Sequence, residues 1–406
     1  MTDPETPTDD PSFRFEYDPA ILRAGPGCVD DLETELATQG FDRALVVCGS
    51  TVGSTPAVID PVTEGLGDRL AGVFAETTPE KRLETAVDGL ERLRAVEADV
   101  LVSLGGGSSL DTAKVISVLA ASNRSPDVLG RELADTGTIA VPDDGLPPIV
   151  AIPTTLAGAD LSMVAGVTAS PSSGLVDEEA SGGVGDPQLM PAAVFADPEL
   201  VATTPRSVLA ASAMNGFDKG IETLYARNAT PITDATAIRG LEKLHDGLLA
   251  FGRGSDDDET FGTLVEGILL VQYGISRPGE STLSIIHAFG HGLTRTYDVQ
   301  QGAAHAIVAP AVLEYLFEHV DGRRELLAEA LGVSEAAESA EVIVDAVDDI
   351  GDALGLPSRL RDVDGPDRSE FPDVAEAILA DGMMENVPAG LEPTAEEIEG
   401  VLERAW

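Results

Sequence analysis

Gly105-Gly106-Gly107-Ser108-Ser109-Leu110-Asp111-Thr112-Ala113-Lys114 is the stretch on which the reading of the fold turns. The apolar run 99–104 just before it has the composition of a buried parallel strand. Residues 112–121 after it carry helical spacing. Strand, glycine turn and helix together make a phosphate cradle. Three glycines leave the backbone bare, so a diphosphate can approach the N–H groups directly. The helix behind them offers unpaired N–H groups and the positive end of its dipole. The stretch has neither the G-x-G-x-x-G spacing nor that of a P-loop, so a tight strand-to-helix turn without a ligand is the competing reading.

Working outward, strand-like and helical segments alternate across the first half. Residues 44–48 and 148–153 are apolar strands, closed by Gly49-Ser50-Thr51 and by Thr154-Thr155. Residues 80–97 are amphipathic, and 170–185, rich in Ser, Gly and acidic residues, read as a mobile hairpin or loop. Such alternation indicates a parallel sheet in an α/β domain. From Asp197-Pro198 the texture changes to long amphipathic patterns over 205–227, 231–251, 260–273, 282–296 and 303–319. The Asp256–Glu259 run reads as a solvated loop feeding a helix start. The expected organisation is a loose N-terminus over 1–11, an α/β dinucleotide-binding domain over 12–197 and an all-helical domain over 198–406.

The 406 residues carry 71 acidic and 25 basic side chains, a formal net charge of −46. Only four of the basic residues are lysines: Lys81, Lys114, Lys219 and Lys243. Hydrophobic content of 43% is that of a folded chain with an acidic skin, which suits high salt, where self-repulsion is screened. The same field repels nucleic acid and anionic membranes, so neither is an expected partner. Cys28 and Cys48 are too few for a disulfide framework or a structural zinc site. No secretory signal and no spanning apolar run is visible, so a cytoplasmic protein is expected. A small-molecule substrate is expected, and a homodimer is permitted.

Three of the five histidines, His287, His291 and His305, fall in one short region. His287 and His291 are four apart in a helical pattern and share a face, a spacing that suits a metal. A helix with one core-facing and one polar histidine explains the pair equally simply. Asn215, Lys219 and Glu222 also fall on one helical face. There the plain reading is a solvated helix with an i,i+3 Lys–Glu pair.

The order of these motifs resembles the iron-containing alcohol dehydrogenase family. The 105–114 stretch is similar to its G-G-G-S-x-x-D-x-A-K loop, and Pro153-Thr154-Thr155 to its P-T-T segment. Asp197-Pro198-Glu199-Leu200, Thr230-Pro231 with Thr233-Asp234, His287 with His291, and Gly302 with Ala306 follow in the family's order. The resemblance implies a dinucleotide-binding α/β domain, a helical domain and an active site in the cleft between them. It implies that Gly105, Gly106, Gly107, Ser108, Ser109, Asp111 and Lys114 border the cofactor diphosphate, with Thr154, Thr155 and Ser162 on the adenine and ribose side. Gly49-Ser50 stands where the family often has an acidic residue, so NADP is permitted beside NAD. A lysine that the family usually places between the phosphate loop and the helical domain is missing here.

The family holds a divalent metal with one Asp and three His. Aligned on Glu222, those four positions are Asn215, Lys219, His287 and Gln301, so one ligand of four is retained. Two amides, one imidazole and an ammonium do not make a site for iron or zinc. The pattern then resembles the metal-independent maleylacetate reductase branch in Asn215, in the 222–227 run and in His305, and departs from it at Lys219 and Gln301. The expected activity is hydride transfer between nicotinamide and a small alcohol or carbonyl compound. Lys219 would be the substitute cation, with Asn215, His287, His291 and His305 around the substrate. A dehydroquinate synthase-like lyase that uses bound NAD, and a cofactor-binding homologue without activity, are the alternatives.

Overall fold

The computed structural model describes residues 13–333 and 340–406. The expected loose N-terminus over 1–11 lies outside the described residues. Eight strands carry the first half: β1 (Ile21–Ala24), β2 (Ala44–Gly49), β3 (Leu70–Thr77), β4 (Val100–Gly105), β5 (Ile149–Pro153), β6 (Val164–Ala169), β7 (Ala180–Gly185) and β8 (Ala193–Ala196). Six of them form one parallel sheet in the order β1-β8-β5-β4-β2-β3. β4 is buried at every position, as expected of a central strand covered on both faces.

The strand order dictates where a ligand can sit. The chain leaves β2 for β3 on one side, then crosses back to β4 on the other. A crevice therefore opens beyond the carboxyl ends of β2 and β4, at the switch point where open α/β sheets bind ligands. Gly49 ends β2 and Gly105 ends β4, so the two glycine turns singled out in the sequence meet there.

Alternation along the strands divides the interior. Val46, Val102, Val150 and Phe195 point to one face and pack under Leu32, Leu36, Val62 and Leu66. Leu45, Val47, Leu101 and Ala151 point to the other and pack on Leu90, Ile116 and Leu119. This second core continues without a break into the helical half, through Leu209, Phe217, Ile268 and Ile307.

The helices of the second half run close to the boundaries read from periodicity: Arg206–Tyr225, Pro231–Gly252, Asp258–Gln272, Ile285–Thr294 and Gln301–His319. Thr230 caps the second of these in a capping box with Thr233, which fixes its start at Pro231. Asp257 accepts the Thr260 N–H at 2.8 Å, so the acidic run is a cap and a first turn rather than a free loop. Among the described residues no helix is long and apolar enough to cross a membrane.

Of these eight strands, four escape the sequence reading: β1, β3, β6 and β8. The segment expected to be a mobile hairpin or loop over 170–185 is the second half of an antiparallel β6–β7 hairpin, which begins earlier, at Val164. Glycines set the closest helix crossings. A Cβ on Gly302 would stand 1.7 Å from the carbonyl oxygen of Ala211, so helix Gln301–His319 can touch Arg206–Tyr225 only through a bare backbone. Gly302→Ala should therefore cost about 2 kcal/mol or more through overpacking. Urea unfolding checks this, and an unchanged midpoint would mean the two helices separate freely.

Candidate active site

The cradle is built at the switch point. Gly105 has φ +137°, a backbone that side chains rarely adopt, and a Cβ there would lie 2.9 Å from Ser109 Oγ. A Cβ on Gly106 would press to 3.2 Å on Thr155 Cγ2. Gly106 is the extended N-cap and the helix begins at Gly107, five residues earlier than its periodicity indicates, and runs to Ala121. In its first turn the Ser109 N–H closes back on Gly106 O at 3.0 Å, which leaves the Gly107 and Ser108 N–H groups at the helix start. The Thr154 N–H donates to Gly105 O at 3.0 Å, and Ser109 Oγ lies 3.1 Å from Thr77 Oγ1. These contacts tie the ends of β3, β4 and β5 together around the opening. Gly49 closes the remaining side, its missing Cβ position 3.3 Å from Thr77 O, with Ser50 opening the next helix. Bare backbone, free N–H groups and a helix dipole fit the diphosphate of a dinucleotide.

Deeper along the same helix the polar side chains turn inward. Lys114 is fully buried, and its ammonium donates to Ser162 O at 2.7 Å, Ser162 Oγ at 2.8 Å and Val164 O at 3.0 Å. Burial pushes its pKa down to about 8. The polar atoms of Lys114 and Ser162 therefore serve each other and pin β6 to the cradle helix. Asp111, one turn from the helix start, accepts the Gly166 N–H at 3.2 Å and pairs with Lys81 Nζ at 2.6 Å.

A cavity of about 500 Å³ lies between the sheet half and the helical half, with Gly158, Ser162, Val164, Lys219, Arg277 and Met383 on its wall. Lys219 reaches it from helix Arg206–Tyr225, and its Nζ donates to Gly158 O at 2.8 Å. Burial brings this ammonium down to about 8, against the pull of Asp160 and Glu222. Asp160 is itself buried and bonded to Gln272, which also accepts the N–H groups of Asp160 and Leu161 at 3.0 Å. Arg277 is committed to Glu280 and Gly274 O, and Lys219 is the other cation on the cavity wall.

Beneath Lys219 is a sealed polar cluster. The plain expectation of a Lys219–Glu222 surface pair does not hold. Glu222 is fully buried, accepts the His287 N–H at 2.9 Å and meets His287 Nδ1 at 2.6 Å. Burial pushes Glu222 up to about 7 and holds His287 well below its usual range, so the imidazole is neutral. With Nδ1–H given to Glu222, the His287 Nε2 lone pair is left without a partner. The His305 ring packs edge-on against His287, with centroids 4.4 Å apart. Its Nδ1 is 3.2 Å from Asp218 Oδ2, and a Cβ on Gly290 would stand 2.3 Å from its Nε2. His305 is completely enclosed, and burial brings it down to about 3 while pushing Asp218 well above the carboxylate range.

Asn215, Lys219, His287 and His305 therefore gather on and around one helix. His291 does not join them. It points the other way, to Asp381 Oδ2 at 2.9 Å, where Arg295 also binds at 3.0 Å. Gln301 opens the helix Gln301–His319 and is half-buried. Asn215 Oδ1 is buried without a partner. Sequence reasoning missed Asp160, Asp218 and Lys81, and assigned Glu222 no role in the site. The available signal was a pair of carboxylates, Asp218 and Glu222, inside an Ala-rich helix flanked by apolar residues.

The donor set does not fit a divalent metal. An ammonium bonded to a carbonyl occupies one position and neutral amides occupy two more, so His287 is the single imidazole among the four. Among the described residues no three His, Cys, Asp or Glu side chains converge as such an ion requires.

Comparison with known proteins gives the lineage. The family model "Iron-containing alcohol dehydrogenase" matches residues 19–198, and its C-terminal counterpart, "Fe-containing alcohol dehydrogenase family, C-terminal", matches 209–406. An NAD-dependent methanol dehydrogenase of Bacillus methanolicus is 27% identical, over 82% of this chain and 85% of its own. A maleylacetate reductase of Burkholderia cepacia is 26% identical, over 86% of each. The solved structure of an alcohol dehydrogenase from Oenococcus oeni shares the fold, with a TM-score of 0.85 at 22% identity, over 97% of this chain and 100% of its own. Matches over nearly the whole length, on a cradle and cleft of this form, make the chain an oxidoreductase belonging to the iron-containing alcohol dehydrogenase family.

Proposed function

We propose that the protein is a nicotinamide-dependent oxidoreductase that interconverts a small alcohol and its carbonyl compound without a catalytic metal. Lys219 supplies the positive charge. The observation that carries this reading is the Lys219 ammonium on the cavity wall, held by Gly158 O at 2.8 Å, at a position where the family's ligand pattern has a histidine.

The bound nicotinamide supplies or accepts the hydride. The Gly105–Ser109 turn holds the diphosphate through the backbone N–H groups of Gly107 and Ser108 at the helix start. The end of β2 carries no carboxylate, so NADP and NAD are both accommodated. Lys219 keeps one N–H on Gly158 O and turns the others to the substrate oxygen. In the carbonyl direction this N–H polarises the oxygen, and the proton on Nζ completes the alcohol as negative charge develops there. In the reverse direction the neutral amine takes the hydroxyl proton. His287, neutral and braced by Glu222, stays in the sealed cluster beneath Lys219 and is not among the residues on the cavity wall.

Lys219→Ala should lower kcat by about a hundredfold or more, while NADH affinity stays within about threefold. Steady-state rates and fluorescence titration check this, in high salt to suit the acidic chain. Protein treated with a chelator should keep its activity. Activity lost to the chelator and restored by iron or zinc would overturn the metal-free reading.

The sign of the pH effect follows from the direction of the Lys219 shift. Its pKa lies at about 8, below the ordinary lysine range, so the ammonium is present below that pH and is lost as pH rises through it. Carbonyl reduction should therefore fall about tenfold per unit above pH 8. Lys219→Arg, which stays charged, should remove that limb of the kcat/KM profile.

A further inference from the structure

Lysine placement is unusually selective in this chain. Of 25 basic side chains only four are lysines, and Lys243 is spent on Glu266 at the surface. The other three, Lys81, Lys114 and Lys219, lie close enough that Lys81 lowers the proton affinity of both others. Lys114 has three oxygen partners inside the protein, and Lys219 belongs to the substrate cavity. Lys81 alone of the three keeps its ammonium open, with 37% of its side chain exposed.

Its backbone is strained. Lys81 has φ +54°, in the left-handed region that residues with side chains seldom occupy. The turn is held in that form from two sides. The Lys81 N–H donates to Thr78 O at 3.1 Å, the Thr168 N–H donates to Lys81 O at 3.1 Å, and the Thr168 hydroxyl donates to Glu80 O. The turn after β3 is thus stitched to β6, and this aims the side chain at Asp111 on the cradle helix. Strain of this kind persists where surrounding structure over-determines it, commonly at a site that needs the geometry.

The ion pair is left uncovered by design of its neighbour. A Cβ on Gly166 would stand 3.5 Å from Lys81 Nζ and 3.7 Å from Asp111 Oδ2, so any longer side chain would cap the ammonium. Asp111 follows Gly107 by four residues, about 6 Å along the helix axis from the first free N–H groups. A chain of net charge −46 repels an anionic dinucleotide at long range. The helix terminus offers only about half a positive charge against the two of a diphosphate. A mobile-headed cation beside the cradle offsets the rest.

We propose that Lys81 is the cation that pairs with the diphosphate of the bound dinucleotide, with Asp111 holding the ammonium at the cradle until the cofactor arrives. This rests on the cofactor reading above and adds to it a residue from outside the glycine loop. Lys81 acts on binding, not on the hydride step. It stands in for the lysine missing between the cradle and the helical half, from a different segment of the chain.

The test is fluorescence titration of the full chain with NADH and with NADPH, on wild type, Lys81→Gln, Lys81→Met and Lys81→Arg, with thermal unfolding of each. Two neutral variants are used so that a folding failure of one leaves the other. The neutral variants should bind both dinucleotides about tenfold or more weakly, and Lys81→Arg should stay within about threefold of wild type. Unchanged affinity in a folded neutral variant overturns the assignment. Loss confined to NADPH also overturns it, since that would put Lys81 on a 2′-phosphate. If wild type binds neither dinucleotide, the cofactor reading fails and this assignment falls with it. Wild-type binding with unaffected variants sinks the assignment alone.

Discussion

Taking charge out of water is the constraint that shapes this molecule. Helix Arg206–Tyr225 lies in the interior and yet carries Asp218, Lys219 and Glu222. Each of these costs several kcal/mol in lost hydration unless a partner is supplied. Glu222 has His287, with both a ring nitrogen and a backbone N–H. Lys219 has Gly158 O, presented by the loop after β5. Asp218 has only the neutral ring of His305 beside it and no hydrogen bond, so burial keeps it protonated; the ring itself fits only because Gly290 has no side chain. The loop, the three helices and the glycines around the cleft are thus placed to offset one row of ionisable groups. A stable protein tolerates such a row where chemistry requires it.

The cofactor side obeys a different rule. Here the need is for emptiness: backbone without Cβ atoms, N–H groups without partners, a strand order that leaves a crevice. That emptiness is maintained by solid packing just behind it, where Lys114 and Ser162 satisfy each other and Thr77 meets Ser109. The two halves of the site meet at residues 158–164, whose loop touches Lys219 on one side and Lys114 on the other. One short segment therefore positions both the cation of the cavity and the helix of the cradle.

Much of this was legible in the chain. Glycine runs announce the cradle because no other residue allows the close approach. Long helices announce themselves by periodicity, and their ends fall where Thr230 and Asp257 cap them. What periodicity cannot carry is short or solvent-facing structure. β1 and β8 have four residues each, and β3 is half-exposed at the sheet edge, so neither length nor alternation marks them. The plain alternative that made Glu222 a surface partner of Lys219 fails because i,i+3 spacing gives adjacency on a helix but not which neighbours cover it. His291 shares a face with His287 by spacing, yet one turn is enough to take it from a sealed interior to Asp381 and Arg295. The identity of the residue that braces a histidine, or of the ring that a glycine makes room for, is a property of the packed fold and has no local signature.

The apolar interior that runs from the sheet face through Leu209 and Phe217 to Ile268 and Ile307 has a mechanical meaning. Swinging the two halves apart would wet that seam, at about 25 cal/mol for every Å² exposed. The molecule is therefore welded along its length rather than jointed. Val164 and Gly185, which pair at the root of the β6–β7 hairpin, border the cavity and belong to this same braced frame, since Lys114 holds the Val164 carbonyl.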